Sequence, residues 1–287
     1  MNGLKNWLEI SRPFSWSASI VPVFLGGITA YLNGNFSDAL FISILFCVLL
    51  LHCASNILNE FFDCTNGIDQ PDVLAASQVL IEGRISPKLA LHVGQSVMVL
   101  FFLMSIAFAV VYQRYWVIVF SAVGISGAYY YTAPPCELKY RGLGLFVVFL
   151  LFGPVLSQAV YYALTGEFSS MLLWTSLPIA FLVTAILHGN DLRDIETDIK
   201  IITIAKLMGL GKGVCLYSAF LCATYIAVFW LILMKLVPII TGLVFLTIPV
   251  ALMNIRRCKS QIFYDIDIQT AKLHAVFGSI WIFCLVI

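Results

Sequence analysis

The chain has 287 residues, of which 61% are hydrophobic and 11% charged, and its mean hydropathy is +0.97. Soluble domains carry about 25% charged residues, so this composition excludes a soluble enzyme and a disordered protein. The net charge of +1 also excludes the basic field that binds nucleic acid.

Nine apolar runs are long enough to predict membrane-spanning helices, because a bilayer core needs roughly 20 helical residues. They cover residues 14–32, 39–58, 89–112, 115–132, 142–163, 169–189, 213–234, 236–253 and 270–287. The boundary between the seventh and eighth runs, around Lys235, is the least defined. We therefore expect an all-α integral membrane protein, and a single domain over 1–287.

The basic residues predict how the helices are oriented, because cytoplasmic loops are enriched in Lys and Arg. With nine spans, fourteen of the sixteen basic residues fall on one side, and only Arg114 and Lys235 fall on the other. This bias predicts a cytoplasmic N-terminus in a multi-pass protein of the cell membrane. The segment around Trp7, before the first span, is expected to be an amphipathic helix at the membrane surface.

The eight cysteines form no CxxC pair and are expected to be reduced packing residues. The four histidines show no metal-ligand spacing, although His188 adjoins an acidic cluster.

The carboxylates gather in two short windows, and both windows follow the end of a predicted span. The first holds Glu60, Asp63, Asp69 and Asp72, and helical spacing places Asn56, Asn59, Asp63 and Asn66 on one face. Charged groups near membrane depth are expensive, which favours a functional role for this window.

The second window holds Asp191, Asp194, Glu196 and Asp198, and the three aspartates are predicted to share one helical face. Oxygen ligands without His or Cys favour Mg²⁺ or Ca²⁺ over zinc, and Mg²⁺ commonly binds carboxylates together with substrate phosphates. Two facing carboxylate helices therefore predict a site for a Mg²⁺–diphosphate. The alternative is that each cluster is a solvated span end.

The loop before the fifth run supplies Lys139 and Arg141, which can donate to phosphate oxygens. Anchoring of the loop on the cytoplasmic side explains these two bases equally well.

These motifs resemble the UbiA superfamily of intramembrane prenyltransferases, and look most like the dihydroxynaphthoate polyprenyltransferases of menaquinone synthesis. The resemblance runs along most of the chain. The matching segments are Arg12-Pro13 with 15–19 and 21–23, Asn59 to Asp69, 79–83 with 85–87, 131–144, and Asn190 to Asp198.

The resemblance implies nine transmembrane helices around a central cavity and Mg²⁺-dependent transfer of a prenyl group from an allylic diphosphate to an aromatic acceptor. It assigns Asn59, Asp63 and Asp69 to one Mg²⁺, and Asp191, Asp194 and Asp198 to a second. Asp63, Asp69, Asp194 and Asp198 would be the catalytic residues. Asn59, Lys139, Arg141, Arg193 and Tyr131 would contact the substrate, the bases holding the diphosphate and the tyrosine facing a carbocation. The implied partners are the lipid bilayer, the prenyl diphosphate and a small aromatic acceptor.

Three positions depart from the family pattern: Glu60 replaces Asp or Thr, Gln78 replaces an arginine, and Leu145 replaces a glutamate. The segment after Asp198 is also about two residues shorter than usual. Because the changes at Gln78 and Leu145 remove polar groups on the acceptor side, a membrane terpene cyclase without an acceptor is the alternative. A cation transporter is a third hypothesis, and it would need polar residues deep within the spans.

Overall fold

The computed structural model describes residues 2–68, 77–197 and 201–287, and in these ranges the chain is helical without any β-strand. A single β-bridge joins Arg141 to Ile202. The elements run in the order α1 (Asn2–Ile10), α2 (Ser17–Leu32), α3 (Asp38–Thr65), α4 (Pro87–Tyr112), α5 (Trp116–Tyr129), α6 (Gly144–Leu150), α7 (Leu156–Thr165), α8 (Ser170–Thr175), α9 (Leu177–Arg193), α10 (Ile204–Met208), α11 (Leu210–Leu233), α12 (Ile248–Lys259) and α13 (Ile266–Val286). Short 3₁₀ segments are Pro13–Ser15, Leu138–Tyr140 and Ile239–Thr247.

All nine predicted apolar runs coincide with helical segments, and eight helical stretches in the described residues are long and apolar enough to cross a membrane. The fourth run forms only the 14-residue α5, Trp116–Tyr129. A helix of that length covers about 21 Å, less than the roughly 30 Å of a bilayer core. The multi-pass architecture is thus confirmed, and the count of nine crossings stays a prediction.

Helix α9 lies at the centre of the bundle and packs against α11 and α13, while α2 packs against α7 and α13, and α3 against α4. Small residues permit these close contacts. A Cβ added at Gly26 of α2 would lie 2.4 Å from the Ser157 carbonyl oxygen of α7. The outward faces of α3, α4 and α11 expose large apolar side chains, such as Phe46, Val111 and Phe229, as expected of lipid-facing surfaces.

A π-helical turn, Leu151–Val155, joins α6 to α7 and interrupts the regular helix within this span. Pro154 cannot donate a backbone hydrogen bond, and Gly153 has the non-helical angles φ −101° and ψ −106°. Gly153 sits so close to α9 that an added Cβ would be 2.5 Å from the Ala180 Cβ. The turn presents Leu151, Phe152 and Val155 to a cavity inside the bundle.

The N-terminal helix α1 is present as predicted, with Leu4 and Leu8 exposed and Ile10 fully buried. Trp7 and Ile10 pack in a small core with Ile57, Val79 and Ile85. All eight cysteines are free thiols.

Two predicted helical faces end earlier than expected. Helix α3 ends at Thr65 with Asn66 as its C-cap, and α9 ends at Arg193 with Asp194 as its C-cap. The N–H of Asp194 still donates to the Asn190 carbonyl, so the predicted face of α9 ends at this cap in the described residues.

Candidate active site

A cavity of about 400 Å³ lies inside the bundle, and its wall is mostly apolar. Helix α3 lines it from Ser43 to Asn59. At about 1.5 Å per residue, these sixteen steps correspond to about 24 Å along the helix. The cavity is therefore long compared with its width, and it extends through most of the depth of the bundle.

The polar side chains of the wall cluster mainly near the end that contains Asn59. Besides a deeper serine and histidine group, the charged and amide residues of the lining are Arg12, Asn56, Asn59, Lys139, Asn190 and Asp267. They come from five separate parts of the chain, since Asn56 and Asn59 share α3, so this end is built by the tertiary fold.

Asp63 follows Asn59 by one helical turn and is only 2% exposed. Its carboxylate accepts two hydrogen bonds of 2.7 Å, one from Lys139 Nζ and one from the Tyr140 hydroxyl. Because Lys139 also lines the cavity, the lysine connects the buried aspartate to that space. The structure thus brings together two residues that the sequence placed in different motifs.

Asn59 itself lines the cavity, and its Oδ1 accepts a hydrogen bond of 3.0 Å from Thr132 in the loop after α5. The next residue toward the N-terminus, Tyr131, is 9% exposed and also lines the cavity. Burial raises the pKa of Tyr131 well above its usual value, and the charges of Asp191 and Asp63 add to the increase. The phenol therefore remains a hydrogen-bond donor.

Asp191 is 6% exposed and lines a second, much smaller pocket that shares Tyr131 and Lys139 with the main cavity. The charges of Asp63 and Asp191 both raise the pKa of Tyr131, so both carboxylates lie near this phenol. One aspartate from each acidic window therefore lies close to the loop that carries Tyr131 and Lys139.

Asp194 accepts two hydrogen bonds of 2.7 Å from the guanidinium of Arg193, in a bidentate pair. The third guanidinium nitrogen, Nη1, donates to Asp267 Oδ2 at 2.5 Å. Arg193 thereby joins the end of α9 to the first turn of α13.

Arg141 is the predicted site residue that the structure places elsewhere. Its side chain is 60% exposed, and it donates to the Pro135 carbonyl and lies 3.9 Å from Glu137. Asp69 and Asp198, which were predicted as catalytic and metal-binding residues, lie outside the described residues.

A buried histidine group lies deeper in the cavity wall. His52 makes contacts of 3.0 Å with Ser15 Oγ and 2.6 Å with Ser19 Oγ, and Asn56 donates to Ser15 Oγ and to the Ser11 carbonyl. Both ring nitrogens of His52 are used, so this group ties the Pro13–Ser15 turn to α3. His188 Nε2 contacts the Gly213 carbonyl at 2.9 Å, on the side of α9 that faces α11.

Sequence reasoning missed Asp267, Asn190, Tyr140 and Arg12 as residues of this site. Asp267 was excluded because the last span was predicted to begin at residue 270, whereas α13 begins at Ile266. An available signal was the pair Asp265 and Asp267, which lies at a span end like the other two acidic windows.

The profile of the UbiA prenyltransferase family matches residues 19–263 of the chain. The chain belongs to this family. It is therefore an enzyme, an intramembrane prenyltransferase, as the aspartate motifs predicted.

Relatives of this UbiA-family enzyme are called UbiA prenyltransferase domain-containing protein 1. The Mus musculus protein is 31% identical over 286 residues, covering 96% of the chain and 82% of that protein. The Drosophila melanogaster homologue is 30% identical, covering 97% of the chain and 79% of that protein. These names support the family and leave the narrower resemblance to dihydroxynaphthoate polyprenyltransferases untested.

Solved structures share the fold of this UbiA-family chain. The apo UbiA homologue from Aeropyrum pernix superimposes with a TM-score of 0.66 at 15% identity, covering 94% of the chain and 95% of the homologue. A UbiA homologue from Archaeoglobus fulgidus, bound to GPP and Mg²⁺, gives a TM-score of 0.64 at 17% identity, covering 98% of the chain and 99% of the homologue.

Within the described residues of this UbiA-family site, no three His, Cys, Asp or Glu side chains are close enough together to form a metal cage. The available donors at the polar end are carboxylate and amide oxygens, which suit a hard cation. Mg²⁺ commonly takes only one or two protein carboxylates and completes its shell with phosphate and water, so this donor set fits Mg²⁺.

Proposed function

We propose that the chain transfers a prenyl group from an allylic polyprenyl diphosphate to an aromatic quinone precursor, such as a dihydroxynaphthoate, within the membrane. The observation that carries this proposal is the contact of Lys139 with Asp63 at the polar end of a long apolar cavity. A charged head and an apolar tail in one substrate match these two parts of the cavity. The narrower resemblance of the sequence supports the choice of acceptor.

Asn59, Asp63, Asp191 and Asp194 are the described residues that would hold Mg²⁺, joined by Asp69 and Asp198 from the same motifs. Bound Mg²⁺ would neutralise the negative charge that builds on the diphosphate as it leaves. The A. fulgidus homologue bound to GPP and Mg²⁺ supports this assignment by analogy of fold.

The chain's own cations would complete the diphosphate site. Lys139 is 15% exposed and is held by Asp63, so a phosphate oxygen entering from the cavity can compete for its ammonium group. Arg193 would act beside the second aspartate motif, because its guanidinium is fixed there by Asp194 and Asp267. We leave Arg141 out of the proposed site because it faces solvent.

The allylic C1–O bond would break with its electron pair moving to the diphosphate, and a ring carbon of the acceptor would form the new C–C bond and then lose its proton. Tyr131, protonated and at the polar end of the cavity, faces the region where positive charge would develop. The apolar walls would exclude water from this cation.

We also propose that residues 1–287 form one domain, with the active site on the cytoplasmic side. Support comes from the ion pairs Arg84–Glu9, Lys139–Asp63 and Arg193–Asp267, which involve five segments placed on that side by the distribution of basic residues.

The test is product analysis of the purified chain with a panel of prenyl diphosphates, with and without 1,4-dihydroxy-2-naphthoate, in Mg²⁺ or EDTA. We expect a prenylated arene that requires both Mg²⁺ and the acceptor. Cyclic hydrocarbon or alcohol formed without the acceptor would replace this proposal with the terpene cyclase.

A further inference from the structure

Asp267, in the first turn of α13, lies in the wall of the main cavity and is 2% exposed. Helix α9 holds it in place by close packing, since a Cβ added at Gly189 would be 3.5 Å from the Asp267 backbone nitrogen. The neighbouring Asn190 also lines the cavity. A carboxylate therefore belongs to the inner wall of the bundle.

The two oxygens of this carboxylate have different environments. Oδ2 accepts the hydrogen bond of 2.5 Å from Arg193 Nη1. Oδ1 is buried and has no hydrogen-bond partner among the described residues. Because Arg193 is itself fixed by its bidentate pair with Asp194, the orientation of the Asp267 carboxylate is fixed as well.

A buried carboxylate oxygen without a hydrogen bond costs free energy, and a ligand that donates a hydrogen bond removes this cost. A diphosphate is an anion and would be repelled by Asp267, and a prenyl tail has no donor. The metal cations are assigned to the two aspartate motifs, and Asp267 belongs to neither. The remaining chemical class is a neutral hydroxyl group.

We infer that Asp267 Oδ1 accepts a hydrogen bond from a ring hydroxyl of the aromatic acceptor and so orients the ring beside the diphosphate site. This inference rests on the proposed function. It assigns an acceptor-binding role to a residue outside both aspartate motifs. Through Arg193, the same carboxylate also connects the acceptor site to the second aspartate motif.

The first test uses the wild-type enzyme and compares 1,4-dihydroxy-2-naphthoate with its two mono-O-methyl ethers. Methylating the recognised hydroxyl removes the donor, so one ether should raise the acceptor KM by about 10- to 100-fold, the range for hydrogen bonds to a charged group. The KM for the prenyl diphosphate should not change. Equal acceptor KM values for all three compounds would overturn the inference without requiring any variant to fold.

The second test uses Asp267→Asn, which keeps the shape and can still offer an amide oxygen to Arg193. In the variant, we expect the KM for the dihydroxy acceptor to rise to about the wild-type KM for the sensitive ether. The variant's KM for that ether should stay at the wild-type value. Asp265→Asn is the matched control, because Asp265 precedes the same helix but pairs with Arg257 and Gln269 outside the cavity lining. An unchanged acceptor KM, or an equal rise in both substrates' KM values, would overturn the inference.

Failure of the proposed function would look different. In that case the wild-type enzyme would form no prenylated arene from any of the compounds, and both proposals would fall. If Asp267→Asn still forms the prenylated arene and discriminates between the ethers as the wild type does, only the role of Asp267 is overturned. A water molecule on Oδ1 instead of the acceptor would give this second result.

Discussion

The two acidic motifs differ in how their aspartates are neutralised. Asp63 lies within α3 and is held by Lys139 and Tyr140, which come from a loop 76 and 77 residues away. Asp194 lies just past the end of α9 and is held by its own neighbour, Arg193, which also holds Asp267. One motif takes its cation from a distant loop, and the other carries its cation within the motif.

The cation of the first motif can exchange with a substrate, whereas the cation of the second motif holds two helix ends together. Lys139 binds Asp63 through one ammonium group, and Asp63 has a second bond from Tyr140. When Lys139 turns to a substrate phosphate, Asp63 keeps the Tyr140 bond, so the ion pair can exchange. Arg193 is 9% exposed and binds two carboxylates at once, so its loss leaves buried charge unpaired. We therefore expect the first motif to control activity and the second to control stability as well.

The largest effect on activity is expected for Asp63→Asn, which keeps the volume but removes the charge. Loss of a metal-binding carboxylate should lower kcat/KM by at least about 10³-fold, with little change in stability, because the amide can still accept from Tyr140. Asp38→Asn, at the opposite and exposed end of the same helix, is the control. Near-normal product formation by Asp63→Asn would contradict the two-motif site.

The largest effect on stability is expected for Arg193→Met. Removing one member of a buried charge pair costs about 3–5 kcal/mol, and here two carboxylates lose their partner. Lys139→Met should cost less, because only one carboxylate, Asp63, loses its cation and it keeps its bond from Tyr140. The free energy of unfolding in mixed micelles measures both. Equal losses would remove the distinction between the motifs.

A smaller effect, on the binding of prenyl diphosphate, is expected when Lys139→Ala is compared with Arg141→Ala. Removing the Lys139 ammonium should raise the KM for prenyl diphosphate by about 10-fold or more, since its bonds to phosphate are charge-assisted. Arg141→Ala should change that KM by less than about 3-fold, because the side chain is exposed and bonded to Pro135. Steady-state kinetics at saturating acceptor give both values, and a reversed order would return Arg141 to the site.

The smallest effect is expected at the surface pair of Glu9 and Arg84, which joins α1 to the segment before α4. The hydrogen bonds from Arg84 lower the pKa of Glu9 below its usual 4.5. Such a group stabilises the fold above that value and loses its contribution as the pH falls through the lowered pKa.

Glu9→Gln should therefore lower the unfolding midpoint slightly at pH 7 and by less near pH 3. Thermal unfolding at the two pH values measures the difference, and added salt should reduce it. A larger deficit at pH 3 than at pH 7 would show that the ion pair is not its origin.

Much of the fold could be predicted from the sequence because apolar runs and turn residues are local signals. The turn at Lys235, the boundary least defined in the sequence, has φ +55° and falls between Leu233 and Ile239 as the pattern indicated. The length of α5 was overestimated because the residues after Tyr129 are apolar enough to continue a helix but form the loop that leads to Lys139.

Only the site residues that belong to a sequence motif could be predicted. Asn59, Asp63 and Asp191 were identified from composition and spacing, whereas the partners Tyr140 and Asp267 depend on which loop or helix end meets which. Arg141 was assigned to the site from the sequence, but its side chain faces solvent. It lies two residues from Lys139, yet the 3₁₀ turn Leu138–Tyr140 directs one side chain inward and the other to solvent.

The π-helical turn Leu151–Val155 acts as a one-residue insertion in the helical register, since residues on either side of it are rotated by about 100° relative to an uninterrupted helix. Leu156, Ala159 and Val160, which follow the turn, line the cavity in this rotated register. Deleting one residue here would therefore rotate α7 relative to α6, and a different set of its side chains would face the cavity.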